Sequence, residues 1–400
     1  MKNMTAIVAI MAVFTLAVCF IFLGSISTEL MARLGIDANG FGTLVTIFSF
    51  TCMIVQLVVG PLVDKLGHKP LAVAGLLIAS AGIFLFGFAG TYAVAVLATI
   101  LLGAGAICCN TVGNTLLPVA LFEGKDPARA SNFGCGFVGL GFVLVPLLIA
   151  LFMGNLGLSY TVSVSILGAG VLAFAVFAMT ATYPQVSTGF SLSKAVSLLP
   201  NPAVLLAAAA LTCYIGLEWT MNNWTKPLMV EMFQGQDSAN AARNAGYVLA
   251  LFGLAMGIGR FATSAIRNVS AIGTRIIAGA ALVGIVALLV LARAQSTGLA
   301  IVGVLVIGLA FAPMFPTIVG VTFSKFEPGV YGSVFGIIFS IGLIGSMILP
   351  KAIGYLSQDK PIQQSLPIAA GIAGVLFALA VVMELAGKAR EARPVAQQAR

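Results

Sequence analysis

The sequence predicts an all-α membrane protein of twelve transmembrane helices in two pseudo-symmetric six-helix bundles. Three observations carry this prediction. First, 60% of the 400 residues are hydrophobic and only 8% are charged, against about 25% charged in ordinary globular chains. Second, the apolar residues gather into long runs, each near the ~20 residues that cross ~30 Å of hydrocarbon at about 1.5 Å per residue. Third, a longer polar segment over 182–202, containing Pro184, Pro200 and Pro202, divides the runs into two equal groups. That division fits transporters built from repeats.

The helices are expected at 4–30, 41–62, 71–90, 93–118, 131–153 and 157–181, then at 203–225, 242–266, 273–293, 298–321, 330–350 and 363–386. These bounds give an N-terminal bundle over 1–181, a linker over 182–202, a C-terminal bundle over 203–387 and a basic tail over 388–400. The first run reads as a span, because it is too long for a signal peptide, lacks a small-residue cleavage site and is followed by many similar runs. Gly103-x-Gly105 and Gly253-x-x-x-Gly257 suit close helix packing in lipid. Pro313 and Pro316 are expected to bend the tenth helix.

An even number of spans puts both termini on one side. Of the 20 Lys and Arg residues, only Arg33, Lys226, Arg243, Arg293, Lys351 and Lys360 fall on the opposite side, which leaves fourteen with the termini. The positive-inside rule then makes the termini cytoplasmic, in a plasma membrane (the inner membrane of a bacterium). The net charge of +8 follows from this topology and requires no nucleic acid. The expected partners are the bilayer and a small-molecule substrate, with the protein as a monomer.

Catalytic classes find no foothold. All six cysteines lie inside apolar runs, with no C-x-x-C spacing, and the single histidine is His68. No metal site, phosphate-binding loop or nucleophile triad can be assembled from these residues, so no cofactor is expected beyond a coupling proton or sodium ion.

The segment Gly60 to Pro70 is a charged hairpin between two apolar runs. It fits the pattern G-x-L-x-D-x-x-G-x-[KR] through Gly60, Leu62, Asp64, Gly67 and Lys69. Gly60 allows helices to touch, Gly67 permits the turn, and Asp64 ends a helix where it can meet a helix N-terminus or a basic residue. Lys65 and Lys69 hold the loop on the basic side. This segment closely resembles the signature loop of the major facilitator superfamily. The resemblance implies the major facilitator fold, with the loop latching the two halves together when the site faces outward. The matching place in the second half holds Gly259 and Arg260 without an acidic residue. Arg260 reads there as a gate residue pairing with helix carbonyls at the cytoplasmic end, or as a substrate contact. Arg129, at the start of the fifth helix, joins the gate group.

Two further stretches narrow the resemblance. One runs Asn110-Thr111-Val112-Gly113-Asn114, followed by Arg129-Ala130-Ser131-Asn132. The other is Tyr214-Ile215-Gly216-Leu217-Glu218, followed by Trp224. Both are similar to the fucose–proton symporter branch, which includes glucose and galactose permeases. Where that branch carries acids in the first and fourth spans, this chain has Ser25 and Asn110, neither of which titrates. The arginine of many proton-driven antiporters is replaced by Thr99.

Glu218 is the one acid well inside a span, about 6 Å outward of the middle of the seventh helix at about 1.5 Å per residue. An intramembrane carboxylate is costly and marks function by default. It can carry a proton, accept two hydroxyls of a sugar, or support a backbone break near Asn222 and Asn223. Tyr214, Glu218 and Asn222 share one helix face, and Asn110 and Asn114 share another. With Gln56, Asn132 and Trp224 they form the candidate substrate and coupling set. Amides suit a neutral polyhydroxylated solute, and each could equally serve as an interhelical hydrogen bond. No arginine or lysine is expected near the middle of a span, which disfavours anionic substrates. The function expected is transport of a neutral sugar or sugar-like metabolite by alternating access, either as a uniporter or as a cation symporter with Glu218 as the coupling group. The alternatives are an exporter of amphipathic compounds and, last, a membrane sensor without transport.

Overall fold

The computed structural model describes residues 2–184, 197–233, 238–357 and 360–391. Among the described residues, twelve helices are long and apolar enough to cross a membrane: α1 (Met4–Ser25), α2 (Gly40–Leu66), α3 (His68–Phe88), α4 (Tyr92–Ala120), α5 (Pro127–Asn155), α6 (Tyr160–Thr180), α7 (Pro202–Met232), α8 (Arg243–Ala265), α9 (Val269–Ala292), α10 (Thr297–Phe323), α11 (Pro328–Leu356) and α12 (Ile362–Gly387). No strand occurs among the described residues. Most of the expected linker lies outside them, as does the tail beyond Glu391.

Helix starts follow from the few polar residues in the loops. Asp37, Thr91, Asp126, Ser159, Asn201 and Ser296 each accept a backbone N–H of the first helical turn that follows. These side chains satisfy donors that would otherwise be orphaned at a helix N-terminus. Outward-facing positions carry large apolar groups such as Phe88, Val176, Ile348 and Leu385, all exposed, as a lipid-facing surface requires.

Two helices, the first and the seventh, depart from the sequence expectation, and the tenth follows it. The first span ends at Ser25, and a separate amphipathic helix, Ser27–Leu34, follows and closes on Gly35 at φ 63°. The tenth breaks between Phe311 and Met314 and then resumes, as Pro313 and Pro316 foretell. The seventh runs unbroken through Asn222 and Asn223 to Met232. Its longer C-terminal end moves Glu218 to within about one residue, or ~1.5 Å, of the helix centre.

The two halves, α1–α6 and α7–α12, meet along two seams related by pseudo-symmetry: α2 against α11, and α5 against α8. Glycine makes both seams possible. A Cβ at Gly60 would come 2.6 Å from the Gly332 carbonyl oxygen. One at Gly139 would overlap the Gly257 backbone. Such close approach of backbones replaces the hydrophobic drive that lipid removes.

The hairpin closes the first seam on the face that carries the termini. Gly67, at φ 84°, turns the chain from α2 into α3. Buried Asp64 accepts from Gly332 N at 3.0 Å, Ser333 N at 2.8 Å and Ser333 Oγ at 2.6 Å. Its charge thus caps the N-terminal turn of α11 across the halves, where the helix dipole favours an anion. Lys65 and Lys69 are exposed at the same turn.

The second seam has a counterpart that the sequence reading missed. Asp126, which caps α5, also accepts from Val269 N at 3.1 Å and Ser270 Oγ at 2.8 Å, at the start of α9. Beside it, Arg129 donates through Nε to the Ser264 carbonyl at the end of α8, 2.9 Å away, and lies over the Phe122 ring. Asn132, one turn further in, donates to Thr317 Oγ1 of α10 at 3.0 Å. The terminal face is therefore held by two carboxylate-to-helix latches, one at each seam.

Candidate functional site

A small chamber lies between the halves at mid-depth. Its wall includes Leu16 and Phe20 from α1, Asn110 from α4, Cys135 from α5, Glu218 and Trp219 from α7, Arg260 from α8, Phe315 from α10 and Phe339 from α11. Both halves contribute, so motion of one against the other would open or close it.

Arg260 sets the electrostatics. Its Nη2 donates to Glu218 Oε1 and to Tyr214 Oη, each at 3.2 Å. Its Nε donates to the Ala312 carbonyl and its Nη1 to the Cys135 carbonyl, each at 3.1 Å. The Ala312 carbonyl is available for a reason written in the sequence. In a continuous helix it would accept from the residue four positions on, which is Pro316, and proline has no N–H. Arg260 fills that vacancy, and its contact with Cys135 reaches into the other half.

This corrects the sequence reading in two respects. Arg260 is not confined to the end of α8: its long side chain extends inward to the carbonyl freed at the α10 break and to Glu218. The membrane interior also does contain a cation. The pairing with helix carbonyls was expected, but its depth and its carboxylate partner were not.

The remaining predicted site residues fall at several different places. Asn110 lines the chamber, and its Nδ2 is buried without a hydrogen-bond partner. Asn114 and Tyr214 stand behind the wall. Asn114 donates to Asn110 Oδ1 at 2.8 Å, which fixes the Asn110 amide with its NH₂ free. Tyr214 is fully buried and positions the guanidinium. Asn222 lines a separate outer recess with Asn223, Phe48 and Phe20, so the shared helix face does not bring it into the chamber.

Gln56 and Trp224 do not reach either recess. Gln56 Nε2 donates to Thr111 Oγ1 at 3.0 Å, a hydrogen bond between α2 and α4 inside one half. Trp224 Nε1 donates to the Pro350 carbonyl at 2.9 Å, and its ring packs on Gly354 of α11. Trp219 is the tryptophan that borders the chamber. Its ring meets Phe20 at 5.4 Å and Phe48 at 6.0 Å between centroids. These three rings, from both halves, separate the chamber from the outer recess. Asn132 belongs to the seam below the chamber rather than to its wall.

A family model for the major facilitator superfamily matches residues 8–350. The chain belongs to the major facilitator superfamily. Members of this superfamily are transporters rather than enzymes, and the twelve helices make this one an integral membrane protein. No curated protein matches its sequence. Among solved structures, the fold is similar to that of a point variant of the Escherichia coli fucose:proton symporter, with a TM-score of 0.72 at 20% identity over 94% of this chain and 99% of that one. A structure of a fucose transporter of the same superfamily, in the outward conformation, gives 0.74 at 20% identity, covering 94% and 97%. The human organic anion transporter MFSD10 gives 0.71 at 16% identity, covering 95% and 99%.

Proposed function

We propose that this superfamily member is a secondary transporter that moves a small hydroxylated, sugar-like metabolite across the plasma membrane by alternating access, with Glu218 as its coupling group. The observation that carries this reading is the Glu218–Arg260 pair, buried between the halves beside the unpartnered Asn110 amide. Hydroxyls can accept from Asn110 and donate to Glu218, while the C–H face of a sugar ring can lie on Phe315, Phe339 or Trp219. A mostly aromatic wall with a few placed polar groups is the usual composition of a small-molecule site. A proton suits Glu218 better than sodium does, because a metal cation there would face the Arg260 charge.

The termini are placed in the cytoplasm on charge. With Arg260 withdrawn to the interior, thirteen Lys and Arg residues remain on the terminal side against six on the other. The Asp64 and Asp126 latches then close the cytoplasmic side. A second reading, export of amphipathic compounds, draws on the phenylalanines of the chamber wall.

Uptake into proteoliposomes tests the first reading. Labelled fucose, glucose and galactose, with gluconate and galacturonate beside them, are offered under an inward proton gradient. Accumulation that collapses with a protonophore is expected for at least one of these solutes. Uptake no greater than in protein-free vesicles for all of them, with efflux of amphipathic dyes instead, would favour the second.

A further inference from the structure

We infer that the solute carries a carboxylate, which takes the place of Glu218 on Arg260 while Glu218 carries a proton. This rests on the transporter reading above and names the substrate class for the same chamber. Arg260 cannot lose its charge, and its side chain is 2% exposed. A guanidinium so enclosed needs a counter-charge at all times. Among the described residues, Glu218 is the only acid in the chamber wall. Once Glu218 is protonated, the cation is left uncompensated, and an anion from solution is the remaining source of balance. While Glu218 is ionised, the same anion would meet a carboxylate already seated on the guanidinium. Proton and anion therefore enter together.

The geometry allows the exchange. Glu218 stands in front of Arg260, with 13% of its side chain open to the chamber. Swinging it aside uncovers the Nη2 edge at which a solute carboxylate can bind. Asn110 Nδ2, across the chamber, has a free donor for a hydroxyl or for the second carboxylate oxygen. The groups facing Glu218 are Tyr214 on its own helix, Arg260 on α8, Cys135 on α5 and Asn110 on α4. The wall residues of α1, α10 and α11 do not titrate. The loaded chamber holds one cation and one carboxylate, as the empty chamber does. Each cycle thus moves one proton and one anionic group with no net charge.

Matched pairs test this: gluconate with glucose, galacturonate with galactose, and mandelate with phenylethanediol. Binding is followed by thermal shift on the purified full chain, wild type and Glu218→Gln, at pH 5.5 and 7.5. At least one acid is expected to bind wild type tenfold or more tightly than its neutral partner at pH 5.5, and to weaken tenfold or more at pH 7.5. In Glu218→Gln, which mimics the protonated acid, that weakening disappears. Arg260→Gln removes the preference for the acid; if that variant does not fold, the Glu218→Gln comparison stands alone. Neutral partners binding as well as the acids, no acid binding at all, or an unchanged pH dependence in Glu218→Gln would each overturn the inference. Proton-driven accumulation of an aldose but of no acid would overturn it while leaving the transporter reading intact. Accumulation of neither would remove the transporter reading itself.

Discussion

Replacing Asp64 with asparagine should loosen the terminal face by a magnitude that the structure sets. The buried carboxylate accepts three hydrogen bonds from Gly332 and Ser333. An amide keeps one oxygen but presents an NH₂ group to the Ser333 N–H, so donor faces donor. Loss of a hydrogen bond to a charged group costs about 1.5–3 kcal/mol, and loss of the charge at the α11 N-terminus adds about 0.3–1 kcal/mol. A total near 3 kcal/mol shifts the equilibrium between closed and open terminal faces by roughly 150-fold, at about 1.4 kcal/mol per tenfold. The assay is pulsed electron–electron double resonance between spin labels at Lys69 and Glu327, both exposed on opposite sides of the seam. Asp64→Asn should move population from the short to the long distance. A population ratio that changes less than threefold would refute the latch argument.

Further predictions follow from the same contacts. Asp126→Asn should open the second seam in the same direction, and together with Asp64→Asn the two effects should add, because the latches share no partner; labels at Lys125 and Arg267 read it. Gly60→Val should act like Asp64→Asn by forcing α2 from α11, since its Cβ would meet the Gly332 backbone. Glu218→Ala leaves Arg260 without its carboxylate and should cost about 3–5 kcal/mol of stability, seen as a lowered unfolding midpoint in detergent. Trp224→Phe loses one hydrogen bond, worth about 1 kcal/mol, and should leave uptake unchanged, because its ring packs between helices and away from the chamber.

The parts of this molecule that depend on local sequence were legible. Span number, the α10 break at Pro313 and the hairpin geometry each follow from runs of apolar residues, a proline or a glycine. Asp64 was legible because a short signature fixes both its place at a helix end and its need for a donor. The site itself was legible only in part. The end of α7 was misjudged because Lys226 and Glu231 resemble an interface, yet the helix continues to Met232; this misplaced Glu218 in depth. Helical rotation puts Trp219 about 100° and Trp224 about 240° around from Glu218, so only the neighbouring helices decide which one borders the chamber. Arg260 was misread because its backbone position lies near a helix end, while its side chain reaches a partner 52 residues away in sequence. One signal did point to it: proline at 316 orphans the Ala312 carbonyl, and an orphaned carbonyl inside a membrane calls for a donor. Asp126 lacked a signature of this kind, since any residue of its type before Pro127 reads as an ordinary helix cap.

The central claim is that solute and coupling ion meet at the Glu218–Arg260 pair. The most direct measurement compares two modes of transport in the same proteoliposomes carrying Glu218→Gln. With solute on both sides, exchange should continue at a rate near that of wild type, because exchange needs no change in the protonation of residue 218. With a proton gradient as the only driving force, accumulation should fall to the level of protein-free vesicles. Gradient-driven accumulation that survives in Glu218→Gln would contradict the account.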